Sequence, residues 1–317
     1  MMRSPIKWAG GKTRVMSQLL KHLPKADCLI EPFVGSGTVF LNTEYRRYIL
    51  CDSNRALINF FRVLTSDTER LIDATRRMFL GGNNEEQYYE RRALFNSMRW
   101  SDTGKADAAL LYAALFLYLN RHSFNGVYRV NLKGEHNVPF GKYAAPYFPA
   151  DEMRLFAEKA KETKAVFIHS DFRHSILDAM QSSPDAVIYC DPPYIPTSKT
   201  ASFTAYGKPF TLDDHRSLVR HLLHVNQRHG HRAVISNSDT QETREIYSAF
   251  NLSPLSVRRS VSAKSRDMAG EVIGVLRVCV NCRRSGGGNC LDCGPVMKHS
   301  TYNAMAKTGA FDDLEAF

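Results

Sequence analysis

The chain has 317 residues, room for about two domains or for one large α/β domain with an insertion. Hydrophobic residues make up 44% and charged residues 23%, close to globular averages, which argues against disorder, collagen or a coiled coil. Forty-two Lys and Arg against 32 Asp and Glu leave a formal charge of +10, which points toward a polyanionic partner without proving one.

The first apolar run, Cys28-Leu29-Ile30, ends in Glu31-Pro32-Phe33-Val34-Gly35-Ser36-Gly37-Thr38. A helix-like pattern then begins, so this stretch predicts strand, glycine turn and helix. Further strands are predicted at 48–51, ending in Asp52; at 165–169, ending in Ser170-Asp171-Phe172; at 186–190, ending in Asp191-Pro192-Pro193-Tyr194; and at 232–236, ending in Asn237. Polar residues thus recur just past the C-terminal ends of short buried strands, the edge where open parallel α/β sheets bind ligands. Between Asp52 and Ala165 the pattern changes to charged amphipathic helices, for example 107–120, and then to a turn-rich stretch over 121–147. The expectation is an α/β sheet domain built from 1–54 and 161–278, with an inserted mainly helical domain at 55–160 and a Cys-rich tail at 279–317. No stretch reaches the roughly 18 apolar residues of a membrane span. Nor does Met1 to Lys7 lead into a signal-like apolar segment. A cytoplasmic protein without membrane contact is expected.

Glycine at 35 and 37 lets backbone approach a ligand closely or take positive φ, although such a turn can also be purely structural. Phe40 stands where a dinucleotide fingerprint has its third glycine, which weakens a nicotinamide reading. Asp52, ending the next strand, can accept both hydroxyls of a ribose. Ala9-Gly10-Gly11-Lys12-Thr13 imitates a phosphate loop, but residue 6, where the first glycine belongs, is Ile, so an ATPase is rejected. The strongest local signal is Asp191-Pro192-Pro193-Tyr194. Two prolines stiffen the turn and remove two donors, leaving the Asp191 carboxylate and the Pro192 carbonyl to accept from an exocyclic amino group, while Tyr194 stacks on a flat base. Those acceptors favour the sp³-like nitrogen of a methyl-transfer transition state.

With these motifs the sequence resembles the N6-adenine DNA methyltransferases, in particular the DNA adenine methylases that modify GATC. The resemblance runs to about residue 278. It is carried by Lys7-Trp8-Ala9-Gly10-Gly11-Lys12, Glu31 to Gly37, Asp191 to Tyr194 and Ala233-Val234-Ile235-Ser236-Asn237, together with Leu119-Asn120-Arg121, Phe124-Asn125-Gly126 and Asn137-Val138-Pro139-Phe140-Gly141. It implies a Rossmann-like domain that binds S-adenosylmethionine, with a target-recognition domain inserted after the second strand. Trp8, Lys12, Glu31, Pro32, Phe33, Gly35, Ser36, Gly37, Asp52, Asp171, Phe172 and Asp191 are the implied cofactor residues. Asp191, Pro192, Pro193 and Tyr194 would hold a target adenine flipped out of the duplex. Transfer would be a direct in-line displacement on the sulfonium methyl, in keeping with the lack of a Pro-Cys dipeptide. Cys190 reads as core.

On the DNA side the resemblance implies Lys7, Arg121, Phe124, Asn125, Val127, Arg129, Pro139 and Lys142. Phe124 stands where such proteins usually carry an intercalating tyrosine, and Asn125 would face the orphaned base. Val127 and Pro139 would meet a thymine methyl. Arg129 can take a guanine edge in bidentate fashion or merely a phosphate. The partner expected is double-stranded DNA, bound by a monomer encoded by a bacterium, plasmid or phage. Rival readings are methylation of RNA or of a protein glutamine amide, and a non-catalytic DNA-binding protein. The resemblance does not reach Cys279-x2-Cys282 and Cys290-x2-Cys293. Two such knuckles can close a structural zinc site, with redox-active or unbound thiols as the alternatives.

Overall fold

The computed structural model describes residues 1–98, 104–183, 185–196, 209–257 and 269–276. Among the described residues seven strands form a single sheet: β1 (Cys28–Glu31), β2 (Arg47–Asp52), β3 (Val166–His169), β4 (Ala186–Cys190), β5 (Arg232–Ser238), β6 (Asn251–Val257) and β7 (Ala269–Leu276). The order across it is β3-β2-β1-β4-β5-β7-β6. Strands β1 to β5 are parallel, and β7 runs antiparallel between β5 and β6. The order reverses between β1 and β4. Chain connections there leave in opposite directions and open a crevice at the strands' C-terminal ends.

The helices are α1 (Met16–Leu19), α2 (Thr38–Leu41), α3 (Arg55–Ser66), α4 (Thr68–Phe79), α5 (Glu85–Ser97), α6 (Ala106–His122), α7 (Ala150–Glu162), α8 (Phe172–Ser182), α9 (Leu212–His229) and α10 (Gln241–Ile246). Their starts follow local chemistry. Asn54 caps α3 by accepting from Leu57 N at 3.1 Å. Thr211 and Asp214 form a reciprocal capping box on α9, which ends at Gly230 in the left-handed region.

All five predicted strands are present, and alternation along them divides the core in two. Leu29, Leu50, Val187, Tyr189 and Val234 face a cluster that includes Phe60, Phe61, Phe116 and Phe156. Cys28, Ile30, Ile49, Cys51, Ile188, Cys190 and Ile235 face the other side, toward Phe172, Ile176, Leu218 and Leu222. A sheet covered on both faces needs apolar residues at every position, and that is why these strands read as continuous apolar runs. Cys190 is core, as expected. Each fully buried Leu or Phe contributes about 1.5–3 kcal/mol.

One expectation is revised. The helix foreseen as amphipathic over 107–120 is buried at every position from Ala113 to His122, because α6 runs between α3, α4 and α5. The helices of segment 55–162 also share one apolar cluster with the sheet face formed by Leu29, Leu50 and Tyr189. They therefore form a layer on the sheet.

Candidate active site and nucleic-acid interface

At the end of β1, Glu31 leads into a turn whose glycines are both required. Gly35 has φ +50°, and a Cβ there would lie 3.2 Å from the Trp8 ring. Gly37 has φ +70°, and its Cβ would meet Phe156 at 2.9 Å. Asp52, ending β2, holds the turn in place: Gly35 N donates to Oδ2 at 3.1 Å, and Asn54 N donates to Oδ1 at 2.9 Å. Burial pushes the Asp52 carboxyl up to about 6 against the opposing pull of these two donors. Glu31 is also buried, and its Oε1 has no partner. Burial, reinforced by the negative charge of Asp191, raises its pKa well above the ordinary value.

Phe33 stacks on Phe172 with ring centroids 5.6 Å apart, and Phe210 meets Phe33 edge-on at 5.8 Å. Together they make an aromatic wall on the side of the turn toward α8. Asp171 is exposed and caps α8 by accepting from Arg173 N at 3.0 Å. Pro32 is buried. Ser36 is committed to the fold, its Oγ 2.7 Å from Thr38 Oγ1 and its carbonyl accepting from Ser4 Oγ at 2.7 Å. Asp52 at the end of β2 and the half-buried Phe33 ring thus stand at the C-terminal edge of the sheet, a carboxyl able to accept ribose hydroxyls and a flat ring able to stack.

Asp191 follows β4 directly across the crevice. Its Oδ1 accepts from Ser236 Oγ at 2.8 Å, and Ser236 Oγ lies 3.0 Å from Tyr189 OH. Its Oδ2 pairs with Lys12 Nζ at 2.5 Å, while that ammonium also donates to Gly10 O at 3.0 Å. Burial alone would lower the Lys12 pKa. Asp191 and Tyr194 together outweigh it, so the net shift is upward and the side chain stays cationic. Tyr194 carries Lys12 Nζ over its ring at 4.9 Å and donates to Glu271 Oε2 at 3.1 Å. Pro192 is buried and Pro193 exposed. Sequence reading attached no role to Ser236 or Glu271. They reach Asp191 and Tyr194 across 45 and 77 residues, and no local pattern carries such a signal.

The N-terminal segment joins this site to the turn-rich stretch. Asn120 Oδ1 accepts from Lys7 N at 2.8 Å, and Asn120 Nδ2 donates to Lys7 O at 2.7 Å. Trp8 stacks on Tyr128 with centroids 5.9 Å apart. Lys7 Nζ lies 4.3 Å above the Tyr143 ring, so this residue, outside the insert in sequence, sits against it in space. Phe124 is 55% exposed. Asn125, Arg129, Pro139 and Lys142 are exposed too, and Val127 is half-buried. Arg129 Nε donates to Asn137 Oδ1 at 2.9 Å. Arg121 departs from its expected place on the DNA side. It is only 7% exposed, and its Nε and Nη2 donate to Pro5 O at 3.2 and 2.5 Å. That carbonyl, buried beneath it, takes up the guanidinium.

Among the described residues no group of three or more His, Cys, Asp or Glu is arranged to hold a metal ion. Cys279, Cys282, Cys290 and Cys293 lie outside the described residues. Among the described residues no helix is long and apolar enough to cross a membrane.

A doubly wound sheet with a glycine turn facing an Asp-Pro-Pro-Tyr turn across its switch point is the framework of a methyltransferase. Comparison with known proteins narrows the class. Residues 8–261 match the model of the D12 class N6 adenine-specific DNA methyltransferases. The chain is 44% identical over 264 residues to the DNA adenine methylase of Escherichia coli strain K12, covering 82% of this chain and 90% of that protein. It is 43% identical over 262 residues to the DNA adenine methylase of Vibrio cholerae serotype O1, with the same coverage. Against the DNA adenine methylase of Serratia marcescens it is 42% identical over 281 residues, 87% of this chain and 98% of that protein. The chain belongs to the D12 class of N6 adenine-specific DNA methyltransferases.

Proposed function

We propose that the protein transfers the methyl group of S-adenosylmethionine to N6 of an adenine flipped out of duplex DNA, at the sequence GATC. The observation that carries this reading is the Asp191 carboxylate, fixed from two sides by Ser236 and Lys12 at the edge of β4 and near Glu31 at the end of the neighbouring β1. The crevice residues fit the cofactor. Asp52 offers a carboxylate to a ribose diol, one oxygen of the buried Glu31 carboxyl is unpartnered and open to a ligand donor, and Gly35 lies so near the Trp8 ring that a Cβ would press on it at 3.2 Å. When bound, S-adenosylmethionine supplies an electrophilic methyl on a cationic sulfur.

The chain's own residues prepare the amine. The Asp191 carboxylate and the Pro192 carbonyl each accept one N–H of the adenine amino group, turning its lone pair out of the ring plane and toward the methyl. Lys12 and Ser236 keep the carboxylate oriented, and Tyr194 offers its ring to the base. Flipping costs a few kcal/mol, which contacts in the 121–147 stretch must offset. Phe124 fills the gap in the stack, Asn125 meets the orphaned partner base, and Lys7, Val127, Arg129, Pro139 and Lys142 read or grip the site. Residues 1–54 and 161–278 would then carry catalysis and 55–160 recognition. Structural zinc on Cys279, Cys282, Cys290 and Cys293 is a separate proposal, and clearly substoichiometric zinc in protein purified without chelator would remove it.

The experiment pairs duplexes that differ only in GATC or a scrambled site. Each is incubated with S-adenosylmethionine and then digested, and methylated nucleosides are quantified by mass spectrometry. N6-methyladenine confined to GATC is the expected result. Methylation of both duplexes would withdraw the recognition roles of Arg129 and Lys7. Methylation of neither, with cofactor bound, would withdraw duplex DNA as substrate.

A further inference from the structure

Strand β4 stops at Cys190, which pairs with Ile235, while β5 continues to Ser238. The next residues, Asp191 to Ile195, leave the ladder, and Pro192 and Pro193 have no N–H with which to rejoin it. The segment is held by side chains of β5. Ser236 takes the Asp191 carboxylate at 2.8 Å. At the far end, Ile195 N donates to Asn237 Oδ1 at 2.9 Å, and Ile195 O accepts from Ser238 Oγ at 2.5 Å.

The Asn237 amide is itself fixed. Its Oδ1 also accepts from Ser238 N at 2.9 Å, and its Nδ2 donates to Tyr247 OH at 3.1 Å. Tyr247 OH lies 2.7 Å from His215 Nδ1. Burial lowers the His215 pKa to about 4, so the ring is neutral and shares one proton with the phenol in this bond. Asn237, Ser238, Tyr247 and His215 are all essentially inaccessible to solvent. On its other side β5 is already paired with β7 through Ser236, Asn237 and Ser238, so the sheet does not need these side chains. A buried polar chain of this kind is costly unless every member is satisfied, and here it ends on both backbone groups of Ile195.

We propose that Asn237 and Ser238 are positioning residues for methyl transfer: they clamp Ile195 and thereby hold the Asp191–Tyr194 turn in its reactive shape. Tyr194 lies between two anchored points, the Asp191 carboxylate before it and the Ile195 backbone after it. Release of the second lets the Pro192 carbonyl and the Tyr194 ring shift together, without touching the crevice at Asp52 or the exposed residues of 121–147.

The inference rests on the reading of this turn as the adenine site, and the experiment separates the two. Single-turnover methylation of a GATC duplex is measured at saturating cofactor and DNA for wild type, Ser238→Ala, Asn237→Ala and Asp191→Ala. S-adenosylmethionine affinity, DNA affinity and the cofactor-binding fraction are measured on the same preparations. The expected result is a rate lower by about 10- to 100-fold in Ser238→Ala and Asn237→Ala, the scale of a small misplacement of reacting groups, with both affinities within about twofold of wild type. A wild-type rate in Ser238→Ala, or a fall that merely tracks the cofactor-binding fraction, overturns the positioning role. Ser238→Ala removes one hydroxyl and decides the matter even if Asn237→Ala does not fold. Full methylation by Asp191→Ala would instead overturn the adenine-site reading itself.

Discussion

Asp191 and Asp52 are both carboxylates at strand ends, yet their surroundings give them different work. Asp191 is pinned between an ammonium and a hydroxyl, an arrangement that keeps acceptors pointed at one place. Asp191→Ala is expected to lower kcat by about 10²–10³-fold, as loss of one preorganised polar group commonly does, with cofactor affinity largely kept. Radiolabel transfer and equilibrium dialysis would check both halves. Asp52 is held by backbone donors and by burial, with its pKa near 6. A carboxyl whose pKa rises on folding binds its proton more tightly in the fold than in the unfolded chain. Its contribution therefore favours the fold below the ordinary value of 3.8 and is lost as pH rises through about 6. On the proposed reading cofactor affinity should run the opposite way, because ribose hydroxyls would donate to the ionised form. S-adenosylmethionine should bind about tenfold more weakly near pH 5 than near pH 8, and calorimetric titration of Asp52→Asn should give a flat profile over that range.

At the scale of elements, α2 begins on a residue that only glycine suits. Gly37→Ala adds a methyl 2.9 Å from Phe156 at φ +70°, and should cost about 1–3 kcal/mol, read as a lower midpoint in urea. Helix α6 and the N-terminal segment are joined by Arg121 on Pro5 and by Asn120 on Lys7. Arg121→Ala leaves a buried carbonyl without its partner, at about 1–3 kcal/mol, and should leave sequence preference intact. Arg129→Ala should do the reverse: stability unchanged, but discrimination at one base pair relaxed by about 1–3 kcal/mol, measured by competition between duplexes. The family resemblance put both arginines on the DNA side. Direction into or out of the core is a tertiary property that proximity in the chain does not encode.

For the whole molecule, legibility followed burial. Strands β1 to β5 announced themselves because both faces are covered, and the polar residue ending each marked the ligand edge. Strands β6 and β7 did not, since Pro254 interrupts an edge strand and Gly270 and Gly274 break the apolar run of β7. The glycine turn, Asp52 and Asp191 were readable as local motifs. Ser236, Glu271 and the Ile195 clamp were not, because they connect residues far apart in the chain. The formal charge of +10 also belongs at this scale. DNA affinity should fall steeply with salt, and Lys142→Ala should reduce the slope of log affinity against log salt by about 1, as filter binding across a salt series would show.

Trp8 stands with its ring against Gly35 on one side and stacked on Tyr128 on the other, so on the proposed reading one side chain borders both the cofactor and the DNA. If the first ligand fixes that ring, the second is spared the cost. Such coupling is reciprocal by thermodynamic necessity. The factor by which a GATC duplex tightens a non-reactive cofactor analogue must equal the factor by which the analogue tightens the duplex. Replacement of Trp8 by Leu should bring both factors toward one together, whichever ligand arrives first.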